Sequence, residues 1–140
     1  MIYLAMPTCD LFGAGTCGKY LFREFVKRGD VLYDRPIGDD FDNTAVTITP
    51  LTADVDVPLI QFSGPDGEKQ TKFSGKPTVG YVFTEQDSLT DKQKYNLKAF
   101  DRLAAGSTWN AEIVRDAGFD CAAVQQGVDT GIFTPMERVY

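Results

Sequence analysis

The sequence predicts an α/β domain in which a mainly parallel β-sheet is covered by helices on both faces. Short β-branched or aromatic runs alternate along the chain with segments of helical periodicity, and turn residues separate them. The 140 residues, 43% apolar and 24% charged, match one domain of common size. No segment has the composition of a linker, so we expect residues 1–140 to form a single domain.

The first part of the chain has the pattern of a βαβ unit. Ile2 to Met6 is a short apolar run that Pro7 stops, which is typical of a buried strand. From Thr16 to Arg28 apolar residues recur every three or four positions, and Gly29 is placed to end the helix. Val31 to Tyr33 predicts the second strand of the unit.

Strands and helices alternate again further along. The β-branched run Thr78 to Phe83 predicts a central strand, and Trp109, Ile113 and Val114 recur on one face of a later helix. The remaining predicted elements are strands at Thr44–Thr49, Leu59–Phe62 and Cys121–Val124, a surface loop or hairpin at Gly64–Lys76, a helix capped by Thr90 through Lys98, and a helix capped by Ser107 through Ala117 with Gly118 at its end.

Charge and apolar runs exclude two classes of partner. A net charge of −6 does not give the basic surface that binding to nucleic acid or to an anionic membrane needs. No run approaches the ~20 apolar residues of a membrane span, and the N-terminus lacks the parts of a signal peptide. We therefore expect a cytoplasmic protein, in which the three cysteines are free thiols.

The absence of histidine limits the chemistry available to this chain. It excludes histidine as a general base, nucleophiles that histidine activates, and metal sites that contain histidine. Any chemistry here would depend on carboxylates, lysines, hydroxyls, thiols or backbone groups.

The segment Gly13–Gly18 matches the pattern G-x-G-x-x-G and leads into the first predicted helix. Glycines let the backbone approach a phosphate, and the free N–H groups of a helix N-terminus attract anions. Asp34 follows Gly13 by 21 residues, where a dinucleotide site has an acid for the ribose hydroxyls. These features together are typical of NAD binding.

The spacing also leaves other interpretations open. Pro7 to Asp10 separate the first strand from Gly13, whereas the dinucleotide fingerprint follows its strand directly. The segment is therefore a turn that only joins strand to helix, a loop that faces a phosphate, or an NAD site formed by Gly13, Gly15, Gly18 and Asp34.

Two later stretches resemble a known family. Residues 100–119 read F-D-R-L-A-A-G-S-T-W-N-A-E-I-V-R-D-A-G-F, and residues 126–135 read Q-G-V-D-T-G-I-F-T-P. They resemble the end of the N-terminal, Rossmann-like domain in retaining, two-domain glycosyltransferases of the GT-B type. The family resemblance extends more weakly to Gly13–Arg28, since these enzymes carry a glycine-rich loop there that faces the phosphates of the donor.

The resemblance implies a site at the carboxyl ends of the strands. Its donor-phosphate-facing positions would be Gly13, Gly15, Thr16, Cys17 and Gly18. The cleft and acceptor candidates would be Glu85, Ser107 and Thr108. Neither a metal nor a bound cofactor is implied, and the resemblance assigns no catalytic residue. The substrates would be a nucleoside-diphosphate sugar and a sugar or lipid-linked acceptor, between which a hexose is transferred.

Each candidate has a structural alternative. Ser107 is placed to cap a helix, and Glu85 is placed as a solvated acid at the end of a strand. We expect Trp109 to pack into the core rather than to stack on a sugar.

The sequence departs from the family in lacking a second domain. The family holds the nucleotide and sugar mainly through a C-terminal donor domain with an E-x7-E motif, and no two of the five glutamates here have that spacing. We expect this chain alone to be inactive, as a fragment of a longer enzyme or as a small protein that kept the fold. A third interpretation is a non-catalytic binding or assembly module that docks through an apolar face including Ile132 and Phe133.

Overall fold

The computed structural model describes residues 1–8, 13–29, 31–33 and 51–127. Within them a single six-stranded sheet carries three helices, and every strand pairing is parallel. The elements are β1 (Ile2–Ala5), α1 (Gly13–Lys27), β2 (Val31–Tyr33), β3 (Leu59–Phe62), β4 (Thr78–Val82), α2 (Asp91–Leu97), β5 (Arg102–Ala105), α3 (Thr108–Asp116) and β6 (Cys121–Ala123). The α/β, Rossmann-like fold class predicted from the sequence is confirmed.

The strand order of the sheet is β2-β1-β3-β4-β5-β6. The chain passes from β1 through α1 to β2 on one side, and β3 then lies on the other side of β1. The order therefore reverses between β1 and β3, and this reversal is the topological switch point of the sheet. β4 lies inside the sheet between β3 and β5, as the sequence predicts.

Helices cover both faces, because alternate residues of each strand point to opposite sides. On one face α1 packs against residues such as Leu4 of β1 and Tyr81 of β4. On the other face α2 and α3 pack against residues such as Val82 and Leu103. A third cluster on this second face surrounds Leu59.

The first helix begins earlier than its apolar periodicity predicts. α1 starts at Gly13, three residues before Thr16, so the G-x-G-x-x-G segment forms the first turns of the helix rather than a loop before it. Gly18 shows the physical reason. A Cβ at this position would overlap the carbonyl oxygen of Pro7, so only glycine lets the helix lie this close to the end of β1.

The caps that the sequence predicts for α2 and α3 are present. The Thr90 side chain accepts a hydrogen bond from the Gln93 N–H, and the Gln93 side chain accepts one from the Thr90 N–H, which completes a capping box. The Ser107 side chain accepts a hydrogen bond from the Asn110 N–H, and Gly118 follows α3 with a φ of +93°.

One expectation about α3 is wrong. Ile113 and Val114 are buried, but Trp109 is 50% exposed and does not pack into the core. Trp109 occupies the second position of α3, before Ala111, the first residue that this helix buries.

Other expectations concern residues outside the described part of the chain. They are the strand at Thr44–Thr49, the acid Asp34, and the apolar residues Ile132 and Phe133. Among the described helices, none is long and apolar enough to cross a membrane.

Replacing Gly18 with alanine tests the close approach of α1 to β1. The added methyl group would overlap the Pro7 carbonyl, and we expect a loss of about 1–3 kcal/mol in the free energy of unfolding, measured by urea denaturation. Gly13→Ala is the matched control, since a Cβ there meets nothing within 4 Å. Equal stability of the two variants would contradict this packing role for Gly18.

Candidate functional site

The candidate site lies at the carboxyl edge of the sheet. In parallel α/β sheets ligands bind beyond the carboxyl ends of the strands, at the switch point. The strands β1 and β3 flank this point, and the buried residues Thr8 and Ser63 follow their carboxyl ends. Polar side chains are therefore concentrated where this fold type holds ligands.

The N-terminus of α1 lies at this edge. Gly13 is exposed, Gly15 and Gly18 are buried, and Thr16 and Cys17 are half-buried. The first turn carries no acidic residue. The backbone N–H groups at the start of this 15-residue helix and the positive end of its dipole therefore favour an anion without competition from a carboxylate of that turn.

Cys17 links α1 to the far side of the sheet. The side chains of Gln126, which lies after β6 in the chain, and of Tyr81 of β4 lie near enough to the Cys17 thiol to lower its pKa. The Tyr81 hydroxyl donates to the carbonyl oxygen of Val124 at 3.0 Å. The thiol thus lies near two segments that are distant from it in sequence.

The Cys17 thiol and the Tyr81 hydroxyl stay protonated near neutral pH. Burial raises the pKa of the Cys17 thiol above its ordinary value, although the neighbouring polar groups of Gln126 and Tyr81 act in the opposite direction. Burial also raises the pKa of the Tyr81 hydroxyl, and the neighbouring Cys17 adds to this effect. The pair is therefore suited to hydrogen bonding rather than to nucleophilic attack.

The acceptor candidates lie at the N-terminus of α3. Ser107 caps the helix, and the exposed hydroxyl of Thr108 accepts a hydrogen bond from the Gln125 side chain at 3.3 Å. The Asn110 side-chain oxygen accepts from the Thr84 N–H at 3.0 Å, which ties the end of β4 to α3. Glu85 comes directly after Thr84 and is exposed.

The structure therefore brings some of the predicted site residues close together and leaves others apart. Cys17 lies against Gln126, whose side chain also lies beside Gly106, directly before Ser107. Glu85 is connected to the α3 terminus through Thr84 and does not take part in the contacts around Cys17. The predicted phosphate-facing residues thus lie on α1, and the predicted acceptor residues Ser107 and Thr108 lie at the N-terminus of α3.

Two functional candidates in this region are absent from the sequence prediction. Gln126 and Tyr81 contact Cys17 across more than sixty residues of sequence, and no local motif signals such a contact. Only the resemblance at residues 126–135 draws attention to Gln126.

Gln61 of β3 is a polar residue in the interior. Its side chain is 0% exposed, its oxygen accepts from the Thr71 N–H at 3.0 Å, and its amide nitrogen has no hydrogen-bond partner among the described residues. It lies on the face opposite α1, because the neighbouring Ile60 and Phe62 pack with α1. Gln61 is thus separated by the sheet from the phosphate-facing residues.

A small cavity lies at the carboxyl ends of β3 and β4. It has a volume of about 10 Å³, which is room for about one water, and its walls include Ser63, Thr84 and Gln93. In the part of the chain that the structure describes, no group of three His, Cys, Asp or Glu side chains is placed to hold a metal ion.

The pKa of Cys17 makes its reactivity a test of this geometry. Because burial raises that pKa, less thiolate forms at pH 7 in the folded chain than in the unfolded one, and we expect iodoacetamide to alkylate folded Cys17 slowly at pH 7 and faster as the pH rises. Peptide mass spectrometry separates Cys17 from Cys9 and Cys121, and the chain unfolded in urea is the control. Rapid alkylation of folded Cys17 at pH 7 would contradict the burial described here.

Comparison with models of protein families, with curated proteins and with solved structures gives no match for this chain. The resemblance of residues 100–119 and 126–135 to a glycosyltransferase domain therefore stays a prediction from the sequence. The residues of the carboxyl edge, with their contacts and charges, are the basis for a functional proposal.

Proposed function

We propose that this chain is the N-terminal, acceptor-side domain of a retaining GT-B type glycosyltransferase. In the two-domain enzyme a hexose would pass from a nucleoside-diphosphate sugar to a sugar or lipid-linked acceptor. The chain here would bind the acceptor and face the diphosphate of the donor, while a C-terminal donor domain would hold the nucleotide and the sugar.

The observation that carries this proposal is the position of the α1 N-terminus. A long helix begins with glycine at the switch point of a parallel sheet, and its first turn has no acidic residue. Such a terminus attracts a phosphate through its N–H groups and its dipole. This local attraction would compensate for the net charge of −6, which repels anions at long range.

The chemistry of the candidate site is consistent with a supporting role in transfer. As the bond to the sugar breaks, negative charge accumulates on the leaving diphosphate, and a helix N-terminus stabilises that charge without moving a proton. No general base is required of α1, which agrees with the raised pKa of Cys17.

The resemblance and the acceptor part of the site support the same assignment. Residues 100–119 include β5 and α3, and the junction between these two elements places Ser107 and Thr108 at the carboxyl edge. Trp109 stands half-exposed directly after them. A hydroxyl and an aromatic ring at one edge are groups that bind sugars, by hydrogen bonding and by stacking.

A charge placed at Gly13 tests the phosphate-facing role. Gly13→Asp puts a carboxylate where a Cβ meets nothing, and Gly13→Asn is the neutral control of the same shape. We expect the wild type to bind inorganic pyrophosphate, which stands in for the diphosphate that this chain would face, in isothermal titration calorimetry, and Gly13→Asp to bind it about tenfold more weakly through charge repulsion. Gly13→Asn should keep the wild-type affinity.

The outcomes of this titration separate the alternatives. If pyrophosphate does not bind, or if Gly13→Asp binds it as well as Gly13→Asn does, the phosphate-facing role is wrong. A rise in melting temperature with NAD alone would favour the oxidoreductase that uses Gly13, Gly15, Gly18 and Asp34. Self-association that depends on concentration, with no response to any nucleotide, would favour the binding or assembly module.

Trp109 offers a direct assay for the acceptor, because it is the only tryptophan in the chain and is half-exposed. We expect oligosaccharides that bind beside Thr108 to shift or quench its fluorescence, and Thr108→Val to reduce that response. Gln70→Ala, at an exposed position in the loop after β3, is the control. A panel of neutral oligosaccharides that leaves the emission unchanged would exclude Trp109 from the acceptor site.

A further inference from the structure

A turn after β3 packs directly against α2. The Gly64 N–H donates to the Glu68 carbonyl at 2.9 Å, and the Gly67 N–H donates to the Gly64 carbonyl at 2.8 Å, which closes the turn. A Cβ on Gly67 would lie 2.9 Å from the Gln93 carbonyl oxygen of α2, so a side chain at this position would push the turn away from the helix. The Gly64–Gly67 turn is therefore held against α2 at the carboxyl edge of the sheet.

The small cavity at the carboxyl ends of β3 and β4 lies between this turn and α2. Its volume of about 10 Å³ is close to the room that one water molecule requires. Empty cavities in proteins are apolar, whereas a buried water needs about two to four polar partners. The buried side chains that line this cavity are of both kinds, with Ser63, Thr84 and Gln93 as the polar ones and Val82, Leu89 and Leu97 as the apolar ones.

The Ser63 hydroxyl has only a poor hydrogen bond in the described part of the chain. Ser63 is 1% exposed, and the acceptor of its hydroxyl is the carbonyl oxygen of the adjacent Gly64 at 3.5 Å. Hydrogen bonds from a hydroxyl to an oxygen normally span about 2.5–3.0 Å, so this contact does not satisfy the group. A buried hydroxyl without a good partner is unfavourable, and a water in the cavity would supply that partner.

The Gln93 side chain brings a donor to the same cavity. Its oxygen accepts from the Thr90 N–H at 2.8 Å, and its amide nitrogen donates to the Pro65 carbonyl at 2.9 Å. These two partners fix the orientation of the amide. Because an amide nitrogen carries two hydrogens, one N–H of Gln93 is left for a further acceptor.

We propose that this cavity is the binding site of one internal water molecule, which accepts a hydrogen bond from the Gln93 amide and donates one to the Ser63 hydroxyl. The water joins the end of β3 to α2 behind the Gly64–Gly67 turn. The size of the cavity excludes a larger ligand, and its described walls contain no charged side chain that would hold an ion. The site is therefore a structural one, and it does not depend on the proposed function.

Relaxation dispersion of oxygen-17 in water tests this proposal, because it detects internal water molecules and is not affected by hydroxyl protons that exchange with the solvent. Ser63→Ala removes the acceptor of the water, and Ser88→Ala removes an exposed hydroxyl as the matched control. We expect Ser63→Ala to lose the contribution of one internal water and to melt about 3 °C lower, the effect of one lost hydrogen bond. Ser88→Ala should match the wild type in both measurements.

A second measurement locates the water and needs no variant. A water held in the cavity tumbles with the protein, so its NOE and ROE cross-peaks with the methyl groups of Val82, Leu89 and Leu97 have opposite signs. We expect such cross-peaks in the wild type. Their absence would overturn the proposal, and so would equal oxygen-17 dispersion in the wild type and in folded Ser63→Ala. An equal loss of dispersion in Ser63→Ala and Ser88→Ala would also reject Ser63 as the partner of the water. If Ser63→Ala does not fold, the wild-type cross-peaks decide alone.

Discussion

The close contact between α1 and the end of β1 is the constraint on which the rest of the site depends. Gly18 lies against the Pro7 carbonyl at a distance that no side chain permits. This contact sets the distance between α1 and the sheet, and so fixes where the first turn of α1 lies relative to the carboxyl edge. A helix held farther away would carry Cys17 out of reach of Tyr81 and Gln126.

A second close approach occurs at Gly106, on the other side of the edge. There the missing side chain makes room for Gln126 rather than for a helix. The two glycines thus bring α1 and the segment after β6 to the same edge of the sheet, because Gly18 sets the position of α1 and Gly106 leaves room for Gln126. Two parts of the chain separated by about a hundred residues thereby meet at the carboxyl edge, where folds of this type bind ligands.

Most of the fold could be predicted from the sequence, because local chemistry decides it. β2 and β3 match their predicted bounds, and Thr90 and Ser107 cap their helices as expected. The start of α1 could not be found from apolar periodicity, since the glycines of its first turns have no side chains that show a period. The exposure of Trp109 was missed for a related reason, because periodicity shows which side of a helix is buried but not how far along the helix the burial extends.

The candidate site was less predictable than the fold. Gly13 to Gly18 and Ser107 belong to local sequence patterns. The proximity of Cys17 and Gln126 depends instead on the order of the strands in the sheet, and local spacing carries little information about that order.

The protonation states of Cys17 and Tyr81 limit the chemistry that is available at the carboxyl edge of the sheet. A thiol and a phenol whose pKa values are raised by burial do not accept a proton at neutral pH, and the chain contains no histidine that could replace them. What remains at α1 is a fixed dipole and a set of N–H donors, whose electrostatic effect does not depend on titration. Such groups stabilise charge that another part of an enzyme creates. In the proposed acceptor-side domain such groups would stabilise a departing diphosphate, and the close approach of Gly18 to the Pro7 carbonyl would fix the position of the helix terminus.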